Sequence, residues 1–143
     1  MKFWDTSALV PLFIAERESA RAERWLRADP GVIVWMLTRV ELLSAIARRR
    51  REDPRANRVL RTARMNLLEA WNEWMEVIDM PAARRQAERL VETHHPLRAA
   101  DALQLGAALV ACEGVASSLT FVTLDRNQAE AAEREGFTVL GRD

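Results

Sequence analysis

The chain has one cysteine, one lysine, no net charge and no apolar run long enough to span a membrane, and each lack excludes a class of protein. Cys112 alone cannot close an intrachain disulfide and has no companion ligand for a metal, so a disulfide scaffold and a cysteine-based zinc site are both excluded. A reducing cytoplasm is the expected setting. Lys+Arg and Asp+Glu both total 21, so net charge gives no reason to expect nonspecific binding to nucleic acid or membrane, and any charge logic must be local. A secretory leader needs an apolar stretch behind a basic start, but Asp5 interrupts this one almost at once. The most apolar stretch, residues 105–112, falls short of the about 20 residues that cross a bilayer. What is present is 143 residues with 49% hydrophobic content, which fits one domain over residues 1–143 with a sizeable core. Every positive side chain except Lys2 is arginine, whose planar fork suits phosphate and carboxylate partners.

Apolar spacing alternates along the chain between strand and helix patterns. Residues 2–5 read as a short strand that runs straight into a helix carrying Ala8, Leu9, Leu12 and Phe13, which leaves Asp5 at a strand's C-terminal end. Ser19–Ala28 reads as a helix with Ala22, Trp25 and Leu26 inward, stopped by Asp29-Pro30-Gly31. Val32–Trp35 is a continuous apolar run, as in a strand buried on both faces. Thr38 opens a helix with Val40, Leu43 and Ala47 in its core stripe; it runs out through residues 48–51 and is broken by Asp53-Pro54. Pro54 starts a helix with Val59, Leu60, Ala63, Leu67 and Trp71 inward, and residues 76–80 read as a third strand. The helix after Pro81 carries Ala87, Leu90 and Val91 and ends near His94-His95-Pro96. Residues 98–113 are apolar almost all round, interrupted by Asp101 and Gln104, and should form the most buried helix. A strand over 120–124 ending at Asp125, a helix over 126–135 and a strand over 137–140 complete the chain. This alternation implies an α/β protein with a mainly parallel sheet covered by helices on both faces.

In an open parallel sheet the ligand site lies beyond the carboxyl ends of the strands, where connections diverge. Asp5 ends the first strand, Asp125 ends the fourth, Glu41 lies in the first turn of the helix after the second, and Asp101 lies near the start of the buried helix. Converging there, the four carboxylates would raise one another's pKa unless a cation neutralised them. An oxygen-only set selects Mg²⁺ or Mn²⁺ over zinc. Such a metal binds phosphate oxygens and lowers the pKa of bound water, the nucleophile of phosphodiester hydrolysis. The competing reading is helix capping, and for any one of three residues alone it is the better one. Thr38-x-x-Glu41 and Asp125-x-x-Gln128 have capping-box spacing, and Asp5 is placed to cap the helix after it. Asp101 has no such reading, because Pro96, Leu97 and Arg98 indicate that its helix has already begun.

Four stretches then carry a resemblance: Phe3-Trp4-Asp5-Thr6-Ser7-Ala8-Leu9, Thr38-Arg39-Val40-Glu41, Leu97-Arg98-Ala99-Ala100-Asp101-Ala102-Leu103-Gln104-Leu105, and Phe121-Val122-Thr123-Leu124-Asp125-Arg126-Asn127. In this order and spacing, over nearly the whole chain, they resemble the PIN-domain nucleases, in particular the VapC toxins of bacterial and archaeal toxin–antitoxin pairs. The resemblance implies a three-layer α/β/α fold and Mg²⁺-dependent endoribonuclease activity, with Mn²⁺ able to substitute. It also implies a small VapB-like antitoxin that blocks the activity, and a homodimer. By position Asp5 and Asp101 correspond to the family's metal ligands, and Glu41 and Asp125 complete its acidic quartet. Thr6, Thr123 and Asn127 fall where the family places polar residues that orient ligands, water or substrate, although local turn and cap hydrogen bonds explain them equally well. The roles that follow are Mg²⁺ held directly by Asp5 and Asp101, Asp125 binding it directly or through water, and Glu41 positioning or deprotonating the attacking water.

Other features read more plainly. The arginines at 48–51 are consecutive on a helix and point in different directions, so a solvated helix end favoured by the dipole is expected. Arg55, Arg58 and Arg61 recur at helical spacing and make a better RNA-facing row. His94 and His95 read as structural, and the tryptophans as core or dimer packing rather than base-stacking platforms. Arg98, three positions before Asp101, is expected close to the acidic group. A phosphotransfer module is disfavoured: a haloacid-dehalogenase-type phosphatase needs a second Asp where Ser7 stands and a later lysine, and a receiver domain needs a lysine after a late strand. The remaining alternatives are a noncatalytic RNA- or protein-binding module of the same fold and a stand-alone RNA-processing nuclease.

Overall fold

The computed structural model describes residues 1–93 and 96–142, so His94, His95 and the helix end expected there lie outside the described residues. Five short strands, β1 (Lys2–Trp4), β2 (Val32–Trp35), β3 (Met75–Val77), β4 (Thr120–Val122) and β5 (Thr138–Leu140), form one sheet in the order β3-β2-β1-β4-β5. Every pairing is parallel. The connections hold seven α-helices among the described residues: α1 (Thr6–Phe13), α2 (Ser19–Ala28), α3 (Thr38–Glu52), α4 (Asn57–Trp71), α5 (Met80–Thr93), α6 (Ala99–Ala111) and α7 (Arg126–Arg134).

Side chains alternate across each strand, and this sorts the core into two layers. Phe3, Ile33, Trp35 and Phe121 face α5, α6 and α7, with Phe3 stacked on Phe121 at 5.5 Å between ring centres. Trp4, Val32, Val34 and Val122 face the opposite way, onto α1 to α4. The result is three layers, α/β/α, with β1 at the middle of the sheet. The chain moves outward from β1 to β2 and β3, then crosses back to β4 on the other side of β1. The connections therefore diverge at β1, which opens a crevice at its carboxyl end.

α6 is the most buried helix, as its composition requires, with Ala102, Leu105, Ala107 and Ala108 fully inaccessible. Gly106 lets α5 lie directly against it: a Cβ there would stand 2.7 Å from the Ala83 carbonyl oxygen.

Several expectations need correction. The third strand occupies Met75–Val77 rather than residues 76–80, because its partner β2 ends at Trp35, opposite Val77, and the ladder has nothing to continue on. Beyond it Asp79 Oδ1 accepts the Ala82 N–H at 3.0 Å and begins α5. Pro54 opens a short 3₁₀ turn, Pro54–Ala56, before α4 starts at Asn57. Val40, Val59 and Val91 are exposed, not inward, at 62%, 69% and 45%. The buried stripes run through Thr38, Leu42 and Ile46 on α3, Leu60, Ala63, Leu67 and Trp71 on α4, and Ala83, Ala87 and Leu90 on α5. Each valine lies one or two positions from its stripe, a rotation of about 100° or more around the helix. Among the described residues no helix is long and apolar enough to cross a membrane.

Candidate active site

The crevice at the carboxyl end of β1 is built around one carboxylate. Asp5 stands at the N-cap of α1 but makes no side-chain cap bond. Its Oδ2 instead accepts from Ser7 Oγ at 2.6 Å and Thr123 Oγ1 at 2.8 Å. The same two hydroxyl oxygens accept backbone N–H groups, Ser7 Oγ from Leu124 at 2.9 Å and Thr123 Oγ1 from Asp125 at 3.0 Å. The segments after β1 and β4 are thus laced together around Asp5, which is 5% exposed. Gly141 closes the outer side at φ +115°, where any Cβ would overlap the Thr123 carbonyl.

A second network joins α1, α3 and α6. Gln104, 1% exposed, places its Nε2 2.7 Å from Thr6 Oγ1, 2.8 Å from Thr38 Oγ1 and 2.9 Å from Glu41 Oε1. Two amide hydrogens serve three oxygens, so one is shared. Glu41 is therefore tethered to the buried helix rather than closing a capping box, and the N-cap of α3 is Leu37 without a side-chain bond. Asp125 does cap its helix: Oδ1 accepts the Gln128 N–H at 2.8 Å. Gln128 Nε2 in turn donates to the Asp101 carbonyl at 2.9 Å and pins the start of α6 to α7. Asp101 is the third residue of α6, inside the helix, with its carboxylate half-buried.

The charges of these groups act on one another. Burial raises the pKa of Asp5, opposed by the Ser7 and Thr123 hydrogen bonds and reinforced by the charge of Asp125. Burial and then the charge of Asp5 raise Glu41, against the hydrogen bonds from Gln104 and Thr6. Asp101 is pushed up to about 6 by burial and by the charges of Asp5 and Asp125, with Arg98 opposing. The fold brings Asp5 within electrostatic reach of Glu41, Asp101 and Asp125, with Arg98 acting on Asp101. Among the described residues no three of His, Cys, Asp and Glu stand close enough to form a ready-made ion cage. The donor chemistry nonetheless fits a hard divalent cation: all donors are carboxylate oxygens, and the burial and mutual repulsion that raise Asp5, Glu41 and Asp101 are what such a cation offsets.

Thr6 and Thr123 hydrogen-bond within the site, whereas Asn127 is exposed in the first turn of α7. Two residues given no role from sequence belong to the site, Ser7 and Gln104. Gln104 did carry a signal. It lies three positions after Asp101 in an otherwise apolar helix, a spacing that puts both on one face. Ser7 had no signal beyond its nearness to Asp5.

Compared with families of known proteins, residues 2–134 match the PIN domain. No curated protein matches the chain.

Proposed function

The chain belongs to the PIN-domain family, and from that premise we propose that it is a metal-dependent endoribonuclease, hydrolysing RNA phosphodiester bonds with Mg²⁺, for which Mn²⁺ can substitute. The observation that carries this reading is the group of carboxylates at the end of β1, three of them raised in pKa by burial and by one another's charge. Asp5 and Asp101 would hold the cation, and Asp125, with Oδ1 committed to its helix cap, has its other oxygen for the cation or its water. A divalent cation held there supplies charge neutralisation at phosphate and a lowered pKa for water. Glu41, fixed by Gln104, would orient the attacking water and take its proton as the oxygen bonds to phosphorus; the bond to the leaving ribose oxygen breaks and that oxygen takes a proton from solvent. The Ser7 and Thr123 hydroxyls hold the Asp5 carboxylate in one orientation.

The finer reading is the toxin of a type II toxin–antitoxin pair: a cytoplasmic, single-domain, homodimeric VapC-like nuclease held inactive by a small VapB-like antitoxin. It is supported by the four stretches around Asp5, Glu41, Asp101 and Asp125. The test is incubation of purified protein with a pool of structured RNAs in Mg²⁺, Mn²⁺ or EDTA. Metal-dependent cuts are expected. RNA bound but left intact in every metal would replace the reading with that of a noncatalytic binding module.

A further inference from the structure

The four arginines at 48–51 separate by their partners. Arg49 Nη2 pairs with Glu16 at 3.6 Å, and Arg50 Nε donates to Asn57 Oδ1 at 3.0 Å. Arg48 is exposed and has no hydrogen-bond or ion-pair partner among the described residues. It is also the one that shares a surface with the candidate site. Glu41, Ser44 and Arg48 recur at i, i+3 and i+7 on one face of α3 and line, with Thr6, a cleft of 380 Å³. The cleft is anionic at Glu41, carries the Ser44 hydroxyl midway and ends on the Arg48 guanidinium, with Val10 and Val40 as its apolar sides. Seven residues of helix put Arg48 about 10 Å from Glu41 along the axis. That is the reach of a neighbouring nucleotide rather than of the scissile phosphate.

We propose that this cleft is the track of the RNA strand beside the scissile bond, with Arg48 gripping the phosphate of a flanking nucleotide through its guanidinium fork. The proposal rests on the nuclease reading and adds a substrate-binding residue to it.

The test is steady-state cleavage of a labelled single-stranded RNA in Mg²⁺ over a salt series by wild type, Arg48→Ala, Arg48→Lys and Arg27→Ala. The last is a control at an exposed arginine of α2 that pairs with Glu23. Arg48→Ala should raise KM about tenfold, the loss of one charge-assisted contact, with kcat within about twofold. It should also flatten the dependence of log kcat/KM on log salt by about 0.7, the value for one single-strand phosphate. Arg48→Lys, which keeps the charge but loses the fork, should restore the salt slope and recover only part of KM, and Arg27→Ala should match wild type. An unchanged melting temperature for Arg48→Ala separates the effect from unfolding. If wild type cuts RNA while Arg48→Ala keeps its KM and salt slope, the track is wrong and the nuclease reading stands. If wild type neither cuts nor binds RNA, both fall together.

Discussion

Replacing Asp101 by Asn should abolish cleavage and, in the absence of metal, make the protein more stable. The pKa of Asp101 is raised in the fold from an ordinary 3.8 to about 6, so the native state holds its proton more tightly than the unfolded chain does. The stability this confers is complete below the unfolded value of 3.8 and is lost as pH rises through about 6. At pH 7.5 the ionised carboxylate is therefore a net burden, which Asn removes while keeping the shape. A rise from 3.8 to about 6 corresponds to about 3 kcal/mol. Asp101 is only half-buried, and solvent screening reduces this to about 1–2 kcal/mol. For a chain of this size that is a gain of about 3–8 °C in melting temperature. The assay is thermal melting of wild type and variant in EDTA at pH 7.5 and pH 5, and the gap should narrow at pH 5, where wild type is largely protonated. A variant that melts below wild type at pH 7.5, or a gap equal at both pH values, would refute the argument that this carboxylate is held against its own electrostatics.

Three further outcomes follow from the same geometry. Mg²⁺ or Mn²⁺ should raise the melting temperature of wild type at pH 7.5, and calorimetric metal affinity should fall as pH drops through about 6, because the ligands must be deprotonated to bind. Gln104→Leu should cost about 1–3 kcal/mol, since it keeps the volume but leaves Thr6, Thr38 and Glu41 without their donor. In urea melts and cleavage assays it should lose stability and kcat together. Gly106→Ala should destabilise by about 1–3 kcal/mol through overpacking, since a Cβ 2.7 Å from the Ala83 carbonyl outweighs the about 1 kcal/mol gained in helix propensity. Stabilisation measured in urea would show that α5 and α6 can separate freely.

The alternation of strands and helices was legible because each strand is a short apolar run and each helix stripe recurs with the helical period. Errors arose where tertiary context decides. The extent of β3 depends on β2 ending at Trp35, which sequence spacing near Met75 does not reveal. Val40, Val59 and Val91 are apolar residues next to a stripe, and only packing shows which side of the boundary they occupy. In the candidate site, Asp5 was legible from its place directly after β1, whereas β4 stops at Val122 rather than running over residues 120–124, and Asp125 stands three residues beyond it as the N-cap of α7. Glu41 was ambiguous with a capping box until the Gln104 tether resolved its side chain, across a separation of 63 residues. Residues 48–51 were expected to form a solvated helix end, and it took Glu16, in the connection between α1 and α2, and Asn57 of α4 to distinguish Arg48 from the two arginines that follow it.

If the carboxylates at the end of β1 make a metal-dependent nuclease, Asp5→Asn should be inactive though folded. Asn can still accept the Ser7 and Thr123 hydrogen bonds, so the fold should persist while the charge is lost. Cleavage of structured RNAs by wild type in Mg²⁺ or Mn²⁺, absent in EDTA and absent in a folded Asp5→Asn protein, is the predicted result. Equal cleavage by the variant, or no cleavage by wild type in any divalent metal, would contradict the account.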